Sequence, residues 1–214
     1  MKSNITELVF ILDRSGSMAG LEHDTIGGFN AMIEQQKKLE GKVYVTTVLF
    51  STTQTRIHDR VEIGSVEPMT ERDYWVGGGT ALMDALGDAI RHIGNIHRYA
   101  RPEDVPEHTI FVITTDGMEN SSTRYSADQV RKLLSKQEKE HGWEFLFLAA
   151  NIDAVETATH YGISHDRAAN YCPTSDGTNV MYSCVSEAVC EIRSNRPLAK
   201  GWSARMQRGK KHEA

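Results

Sequence analysis

Residues 8–18 read LVFILDRSGSM, a wholly apolar run that ends at Asp13 and continues into a loop of serines and glycine. The apolar, β-prone residues at 8–12 predict a strand that is buried on both faces. Strands of this kind occur in parallel sheets whose faces are covered by helices. The stretch therefore favours an α/β fold, and it places a carboxylate beyond the end of a strand, where such sheets bind ligands.

The rest of the chain alternates between strand and helix patterns. Helical spacing predicts a helix at 25–39, with Asp24 as its N-cap and Gly41 beyond its end. The mixed polar stretch at 53–63 predicts an exposed edge strand that forms a hairpin with its predecessor. The remaining strands are expected at 43–50, 109–115, 144–149 and 168–171, and the remaining helices at 81–97, 126–140, 154–161 and 179–192. This order predicts a doubly wound, mostly parallel sheet of the Rossmann-like type, flanked by helices and carrying one antiparallel edge strand.

The composition is that of an ordinary globular protein, with 214 residues of which 39% are hydrophobic. A domain of this size buries about 70% of the surface of its unfolded chain, so stability does not require a structural metal. The chain has no run of 18 apolar residues, and its N-terminus has no apolar signal core. Cys172, Cys184 and Cys190 are spaced unlike a disulfide framework or a zinc site. These features predict a cytoplasmic protein with free thiols and no membrane association.

Charge divides the chain near residue 193. Residues 193–214 contain seven basic residues and one acidic residue, a net charge of +6, and because the whole chain carries −5, residues 1–192 carry −11. We therefore expect a domain at 1–192 followed by a basic tail at 193–214. The tail either binds nucleic acid or an acidic partner, or it lies solvated or folds back on the acidic domain. Its single aromatic residue, Trp202, is a weak nucleic-acid signature, which favours the second pair with Trp202 holding the tail in place.

Side chains with oxygen donors follow the predicted strand ends. Asp13, Ser15 and Ser17 alternate through the loop after the first strand, so a turn can aim all three at one point. Thr80 follows three glycines in a second loop, and Asp116 follows the strand at 109–115. This set of oxygen donors, with two carboxylates and neither histidine nor cysteine, suits a hard divalent ion. Mg²⁺ is the first expectation, and Mn²⁺ or Ca²⁺ the next.

The three loop segments share a known pattern. They read DRSGSM at 13–18, GT at 79–80 and TDG at 115–117. Together they resemble the metal-ion-dependent adhesion site (MIDAS) of the von Willebrand factor type A (VWA) domain family, in the order and at the strand ends that the family uses. The resemblance covers roughly residues 4–192 and implies the same Rossmann-like fold with a complete MIDAS.

The resemblance also implies how these residues act. Ser15, Ser17 and Thr80 become expected direct metal ligands, and Asp13 and Asp116 direct or water-mediated ones. In this family a carboxylate of a partner protein often completes the coordination, and intracellular members act as adaptors or subunits of larger assemblies, including some driven by ATPases. A site with few anionic ligands leaves positive charge on the ion, which favours binding of a partner's acidic residue over hydrolysis. We therefore expect a protein-binding domain that is not an enzyme.

Enzymatic alternatives have less support in the sequence. A Mg²⁺-dependent phosphohydrolase with Asp13 as phosphoryl acceptor remains the second hypothesis. Such enzymes resemble one another in an Asp-x-Asp loop, whereas Ser15 stands at the second acidic position here and no partner lysine is evident. The glycines at 77–79 lack the lysine and the spacing of a phosphate-binding P-loop, and the chain contains no Gly-x-Ser-x-Gly nucleophile elbow.

The loop assignments also predict a rim around the metal. Its members are Arg14, Met18, Tyr74, Trp75, Met118 and Glu119. Tyr74 and Trp75 are expected either to contact the partner, since aromatic residues dominate interface energetics, or to pack beneath the glycine loop.

Overall fold

A single mixed sheet with helices on both faces forms the centre of the structure, a computed structural model that describes residues 4–208. The strands are β1 (Ile5–Asp13), β2 (Lys42–Phe50), β3 (Gln54–Glu62), β4 (His108–Thr115), β5 (Glu144–Ala149) and β6 (Ala168–Asn170). The helices are α1 (Glu22–Lys37), α2 (Leu82–Tyr99), α3 (Ala127–His141), α4 (Ala154–Tyr161), α5 (Ser175–Arg193) and α6 (Ala204–Arg208). The predicted fold class is confirmed.

The order of the strands determines where a ligand can bind. Across the sheet the strands lie in the order β3-β2-β1-β4-β5-β6, and all neighbours are parallel except β2 and β3, which form the antiparallel edge. After β3 the chain crosses back through α2 and adds β4 on the far side of β1. The strand order therefore reverses between β1 and β4. Their C-terminal ends border the crevice in which doubly wound sheets bind ligands.

The central strand β1 is buried along its whole length, as its apolar sequence predicts. Phe10 and its even-numbered neighbours pack into a core with α1 and α5, and Phe10 meets Phe29 edge to face at 5.0 Å between ring centroids. Val9 and Ile11 pack into a second core with α2, α3 and α4. Because both faces of β1 are covered, the position of Asp13 at its end is fixed by packing on two sides.

Two helix starts differ from prediction by more than one residue. Helix α1 begins at Glu22 with Leu21 at the cap, so Asp24 lies in the first turn and accepts a hydrogen bond from Ser175 (2.6 Å) instead of capping the helix. Leu21 is buried, and its N–H bonds the carbonyl of Met18, so the chain passes from the preceding 3₁₀ turn directly into the helix. Helix α5 begins four residues before the predicted 179, because the Thr174 side chain caps it by accepting from the N–H of Gly177.

The described part of the basic tail, residues 193–208, contacts the domain through Trp202, Arg205 and Met206. The Trp202 indole N–H donates to the carbonyl of Asp166 (2.9 Å), and Met206 is buried in the core beside α5. Arg205 pairs with Glu187 at 2.5 Å. Lys210 and Lys211, which contribute to the predicted charge of the tail, lie outside the described residues. The division into a domain at 1–192 and a tail at 193–214 stays a prediction.

Two further sequence expectations can be compared with the described residues. The three cysteines are free thiols. Between residues 4 and 208, no helix combines the length and the apolar character that a bilayer crossing requires.

Candidate metal centre

The five predicted metal ligands lie at one edge of the sheet. Asp13 is the last residue of β1, and the serines at 15 and 17 lie in the turn that follows it. Asp116 follows β4 directly, and Thr80 lies just before α2. Asp13, Ser15, Thr80 and Asp116 are each at most 2% exposed, whereas Ser17 is open to solvent. The structure thus brings three separated segments together at the crevice between β1 and β4.

Direct contacts connect these side chains. The hydroxyls of Ser15 and Ser17 lie 3.1 Å apart, and Ser17 donates to Oδ1 of Asp116 at 2.6 Å. The backbone N–H of Ser15 donates to Oδ1 of Asp13 at 2.7 Å. Thr80 faces the same place, because a Cβ built on Gly117 would lie 3.3 Å from Ser17 Oγ and 3.5 Å from Thr80 Oγ1. The hydroxyls therefore converge on one small volume beside Asp116.

The second carboxylate oxygen of Asp116 has no hydrogen-bond partner although it is buried. Such an oxygen carries the full cost of leaving water, roughly 1–3 kcal/mol or more for a charged group. Burial is also the main reason that the pKa of Asp116 and the pKa of Asp13 are raised above the usual value for aspartate. A cation at this place removes both costs, so the residues fit the divalent ion that the sequence predicts.

The chemistry of the donors indicates the kind of ion. Among residues 4–208, no three side chains of histidine, cysteine, aspartate or glutamate cluster in a way that could hold a metal. The candidate centre is instead built from hydroxyls and two carboxylates. Oxygen donors of this kind suit Mg²⁺, Mn²⁺ or Ca²⁺ better than a metal that prefers sulfur or imidazole.

Two residues support Asp13 in ways that the sequence did not predict. Thr115 donates from Oγ1 to Oδ2 of Asp13 at 2.7 Å, and the buried hydroxyl of Tyr74 donates to the backbone carbonyl of Asp13. The position of Thr115 follows from the parallel register of β1 and β4, in which Leu12 lies opposite Thr114. Only a prediction of that strand pairing could have placed Thr115 beside Asp13.

The glycine loop before Thr80 is fastened to the loop after β1. The N–H of Gly77 donates to the carbonyl of Arg14 (2.9 Å), and the N–H of Gly16 donates to the carbonyl of Gly78 (3.0 Å). Gly79 has no room for a side chain, since a Cβ there would lie 2.1 Å from Ser121 Oγ. The loop takes this path because glycine permits close backbone approach.

The loop after β4 positions the start of α2, a role that the sequence did not predict. Asn120 accepts from the N–H of Thr80 at 2.9 Å, and Glu119 accepts from the N–H of Met83 at 2.9 Å. Asp84, in the first turn of α2, accepts from the backbone N–H groups of residues 123–125 at 2.9–3.0 Å. Burial alone would raise the pKa of Asp84, but these bonds and the charge of Arg124 together lower it below the usual aspartate value. The loop after β4 and the first turn of α2 therefore hold each other through side-chain bonds to backbone N–H groups, and the N–H of Thr80 is one of these groups.

The predicted rim is only partly correct. Trp75 is 54% exposed and Met118 is 73% exposed, so both are open beside the centre. Arg14, Met18 and Tyr74 are each 2% exposed and belong to the interior. For Tyr74, the alternative of packing beneath the glycine loop is the one that the structure has. Glu119 also leaves the rim, because its carboxylate bonds backbone N–H groups at 83, 121 and 122.

The sheet order, the switch point and the donor loops define a VWA domain. Residues 2–155 match the family described as VWA domain containing CoxE-like protein. The match spans well over half of the chain, and the protein belongs to this family. A comparison with curated protein sequences gave no significant match.

Solved structures support the same fold. Proximal thread matrix protein 1 from the mussel byssus has a TM-score of 0.57 and 15% identity, over 87% of this chain and 46% of that one. The same protein with a zinc-occupied MIDAS motif has a TM-score of 0.57 and 14% identity, over 86% and 46%. VWA2, the ArnB paralog from Sulfolobus acidocaldarius, has a TM-score of 0.54 and 15% identity, over 87% and 45%. The chain thus spans less than half the length of these structures.

Proposed function

We propose that this protein is a divalent-metal-dependent binding domain that captures an acidic residue of a partner protein. The metal ligands are Asp13, Ser15, Ser17, Thr80 and Asp116, and the ion is Mg²⁺, with Mn²⁺ or Ca²⁺ as substitutes. The observation that carries the proposal is the buried Asp116 Oδ2, which has no hydrogen-bond partner although the other oxygen of the same carboxylate accepts from Ser17. A zinc-occupied MIDAS motif in a structural relative supports a cation at this place.

The residues of the centre favour binding over catalysis. A bound ion supplies a positive charge to which a carboxylate can coordinate. Three of the five ligands are neutral hydroxyls, which leave that charge only partly compensated. Thr115 and Ser15 hold the Asp13 carboxylate in one orientation, and the open side of the centre lies beside the exposed Ser17, Trp75 and Met118.

Isothermal titration calorimetry with Mg²⁺ and with Mn²⁺ tests the ligand set. Asp13→Ala and Ser15→Ala are expected to abolish binding. Asp128→Ala and Ser135→Ala make the same changes on α3, away from the centre, and are expected to bind as the wild type does. Unchanged metal binding in Asp13→Ala and Ser15→Ala would show that the ion binds elsewhere.

Affinity capture tests the partner. The wild-type protein is used as bait in a cytosolic extract with Mg²⁺ and again with a chelator, and Ser15→Ala is used as bait with Mg²⁺. We expect a partner that is retained only by the wild type with Mg²⁺. A partner retained equally in all three captures would contradict a metal-dependent role.

The phosphohydrolase alternative finds no support in the geometry. Both carboxylate oxygens of Asp13 already accept hydrogen bonds, from the N–H of Ser15 and from Thr115 Oγ1, and the residue is fully buried. An oxygen held in this way is poorly placed to attack a phosphorus atom. Turnover of a generic phosphate ester that is lost in Asp13→Asn would nevertheless establish the enzyme and count against the binding role.

The thiols and the tail bear on the localisation of the protein and on the class of its partner. We infer a cytoplasmic protein, because the three thiols are free, as they are in reducing compartments. The partner is a protein with an acidic residue. Nucleic acid is not proposed as a partner, since the described tail is packed on the domain through Trp202 and Met206.

A further inference from the structure

Arg14 lies between two of the predicted metal ligands in sequence, but its side chain is turned toward β3. It is 2% exposed. Its Nη2 donates to Oγ1 of Thr55 at 3.0 Å, whereas its buried Nε has no hydrogen-bond partner. Within residues 4–208 no carboxylate forms an ion pair with it. Arg14 is therefore a buried guanidinium beside the metal centre without a counter-ion.

A buried charge of this kind is costly unless it is paired. Trp75 offsets part of the cost, because its indole ring lies 4.2 Å from the guanidinium carbon in a cation–π arrangement. The contact with the ring leaves the buried Nε–H without an acceptor, while Nη2 donates to Thr55. The planar edge of a guanidinium matches the two oxygens of a carboxylate.

The indole of Trp75 also lies between Arg14 and solvent. The side chain is 54% exposed, so its outer side faces solvent while its inner side covers Arg14. The glycines at 77–79 follow directly, and Gly78 has a φ of +79°, which other residues rarely adopt. Because hydrogen bonds fasten this loop to the loop after β1, access to Arg14 requires rotation of the exposed indole side chain and no movement of the backbone.

The overall charge of the domain makes a local cation important. Residues 1–192 carry a net charge of −11, so long-range electrostatics do not attract an acidic partner. Recognition of acidic groups then depends on positive charges at the site itself. The metal is one such charge, and Arg14 is the other on the same loop.

We propose that Arg14, Thr55 and Trp75 form an anion subsite that takes a second carboxylate from the acidic segment whose first carboxylate binds the metal. This inference rests on the proposed function, and it adds that the partner presents two acidic groups to this protein. Arg14 supplies the charge, Thr55 orients the guanidinium, and Trp75 covers it until the partner binds.

Nuclear magnetic resonance of the full-length protein tests the subsite with simple carboxylates. The reporter is the indole N–H resonance of Trp75, assigned by its loss in Trp75→Phe. Acetate is titrated as the monocarboxylate, and succinate, glutarate and adipate as dicarboxylates of increasing length, all with saturating Mg²⁺. We expect at least one dicarboxylate to bind about tenfold more tightly than acetate, the effect of roughly one charge-assisted hydrogen bond.

Variants connect that preference to Arg14. Arg14→Met, which keeps the length and removes the charge, is expected to bind Mg²⁺ normally but to lose the preference for dicarboxylates. Arg14→Lys keeps a charge without the planar edge and is expected to retain part of the preference; it also serves if Arg14→Met does not fold. Arg56→Met is the matched control, because it removes a charge from β3 that is already paired with Asp59. The control is expected to keep the full preference.

The outcomes separate the two proposals. If Mg²⁺ and acetate bind but no dicarboxylate is preferred, the subsite is wrong and the metal-dependent function stands. The subsite is also wrong if Arg56→Met loses the preference as Arg14→Met does, since net charge would then explain it. If carboxylates bind equally well with and without Mg²⁺, the proposed function fails. If that binding is still lost in Arg14→Met, the subsite alone is upheld. No perturbation by any carboxylate overturns both.

Discussion

The Ser17 hydroxyl donates a hydrogen bond of 2.6 Å to Oδ1 of Asp116, and so joins the loop after β1 to the loop after β4. One oxygen of the aspartate therefore accepts a hydrogen bond, while the other, Oδ2, is buried without a partner. Two loops that are distant in sequence are thereby arranged around a carboxylate that is only half satisfied. A cation bound at this carboxylate offsets the free-energy cost of burying the unpartnered oxygen.

Asp116→Asn should remove the response to metal without destabilising the metal-free protein. The amide has no charge to desolvate, so we expect the metal-free variant to melt at or above the wild-type temperature. Mg²⁺ at about 100 times its dissociation constant stabilises a binding protein by about 2.7 kcal/mol, or roughly 5–10 °C for a domain of this size. The wild type should show this shift in calorimetric melting, and the variant none. Asp128→Asn, at an exposed position on α3, is the control and should respond as the wild type does.

Thr115→Val should weaken metal binding although Thr115 is not a proposed ligand. The change removes the hydrogen bond to Oδ2 of Asp13 and leaves that oxygen buried. Loss of such an outer partner typically lowers metal affinity about 10–100-fold. Titration calorimetry measures the affinity, and Thr109→Val is the control, because it makes the same change at a buried position near the other end of β4. Equal affinities in the two variants would contradict the supporting role.

Gly79→Ala should destabilise the protein, since the added methyl group would lie 2.1 Å from Ser121 Oγ and 2.7 Å from Asn120 Oδ1. We expect a loss of about 1–3 kcal/mol in urea unfolding. Gly27→Ala provides a control of opposite sign. Gly27 lies inside α1 with nothing within 4 Å of its missing Cβ, so alanine should add about 0.5–1 kcal/mol. A shared sign for the two changes would show that glycine is not required for close approach at 79.

His58 should make stability depend on pH. It lies on β3 and stacks on Phe29 with ring centroids 6.2 Å apart, and burial lowers its pKa below the usual histidine value, against smaller opposing effects of the Glu67 backbone and of Asp73. The unfolded chain therefore binds a proton at a higher pH than the folded protein does. The stability that neutral His58 provides is present above a pH of about 6.5 and is lost as the pH falls below it. In urea unfolding from pH 8 to pH 5, the stability of His58→Phe relative to wild type should rise as the pH falls. A constant difference would contradict this account.

The sequence predicted the parts of the centre that follow from strand ends. The apolar run at 8–12 and the strand at 109–115 each end in an aspartate, and a parallel sheet brings such ends to one edge. The contacts between the loops of the centre were not predictable in the same way. The role of Thr115 requires the register of β4 against β1, and the burial of Arg14 and Tyr74 requires the path of the glycine loop. Those relationships are set by tertiary contacts that no local pattern reports.

The pairing of β1 with two strands from distant parts of the chain has a consequence for folding. β2 follows β1 after a single helix, whereas the residues of β4 that pair with β1 lie about a hundred positions further on. Contacts across so long a loop form slowly, because closing the loop costs entropy before pairing rewards it. The candidate centre is complete only when both strands have paired with β1. In a refolding experiment, the appearance of metal affinity would therefore report when β4 has docked against β1.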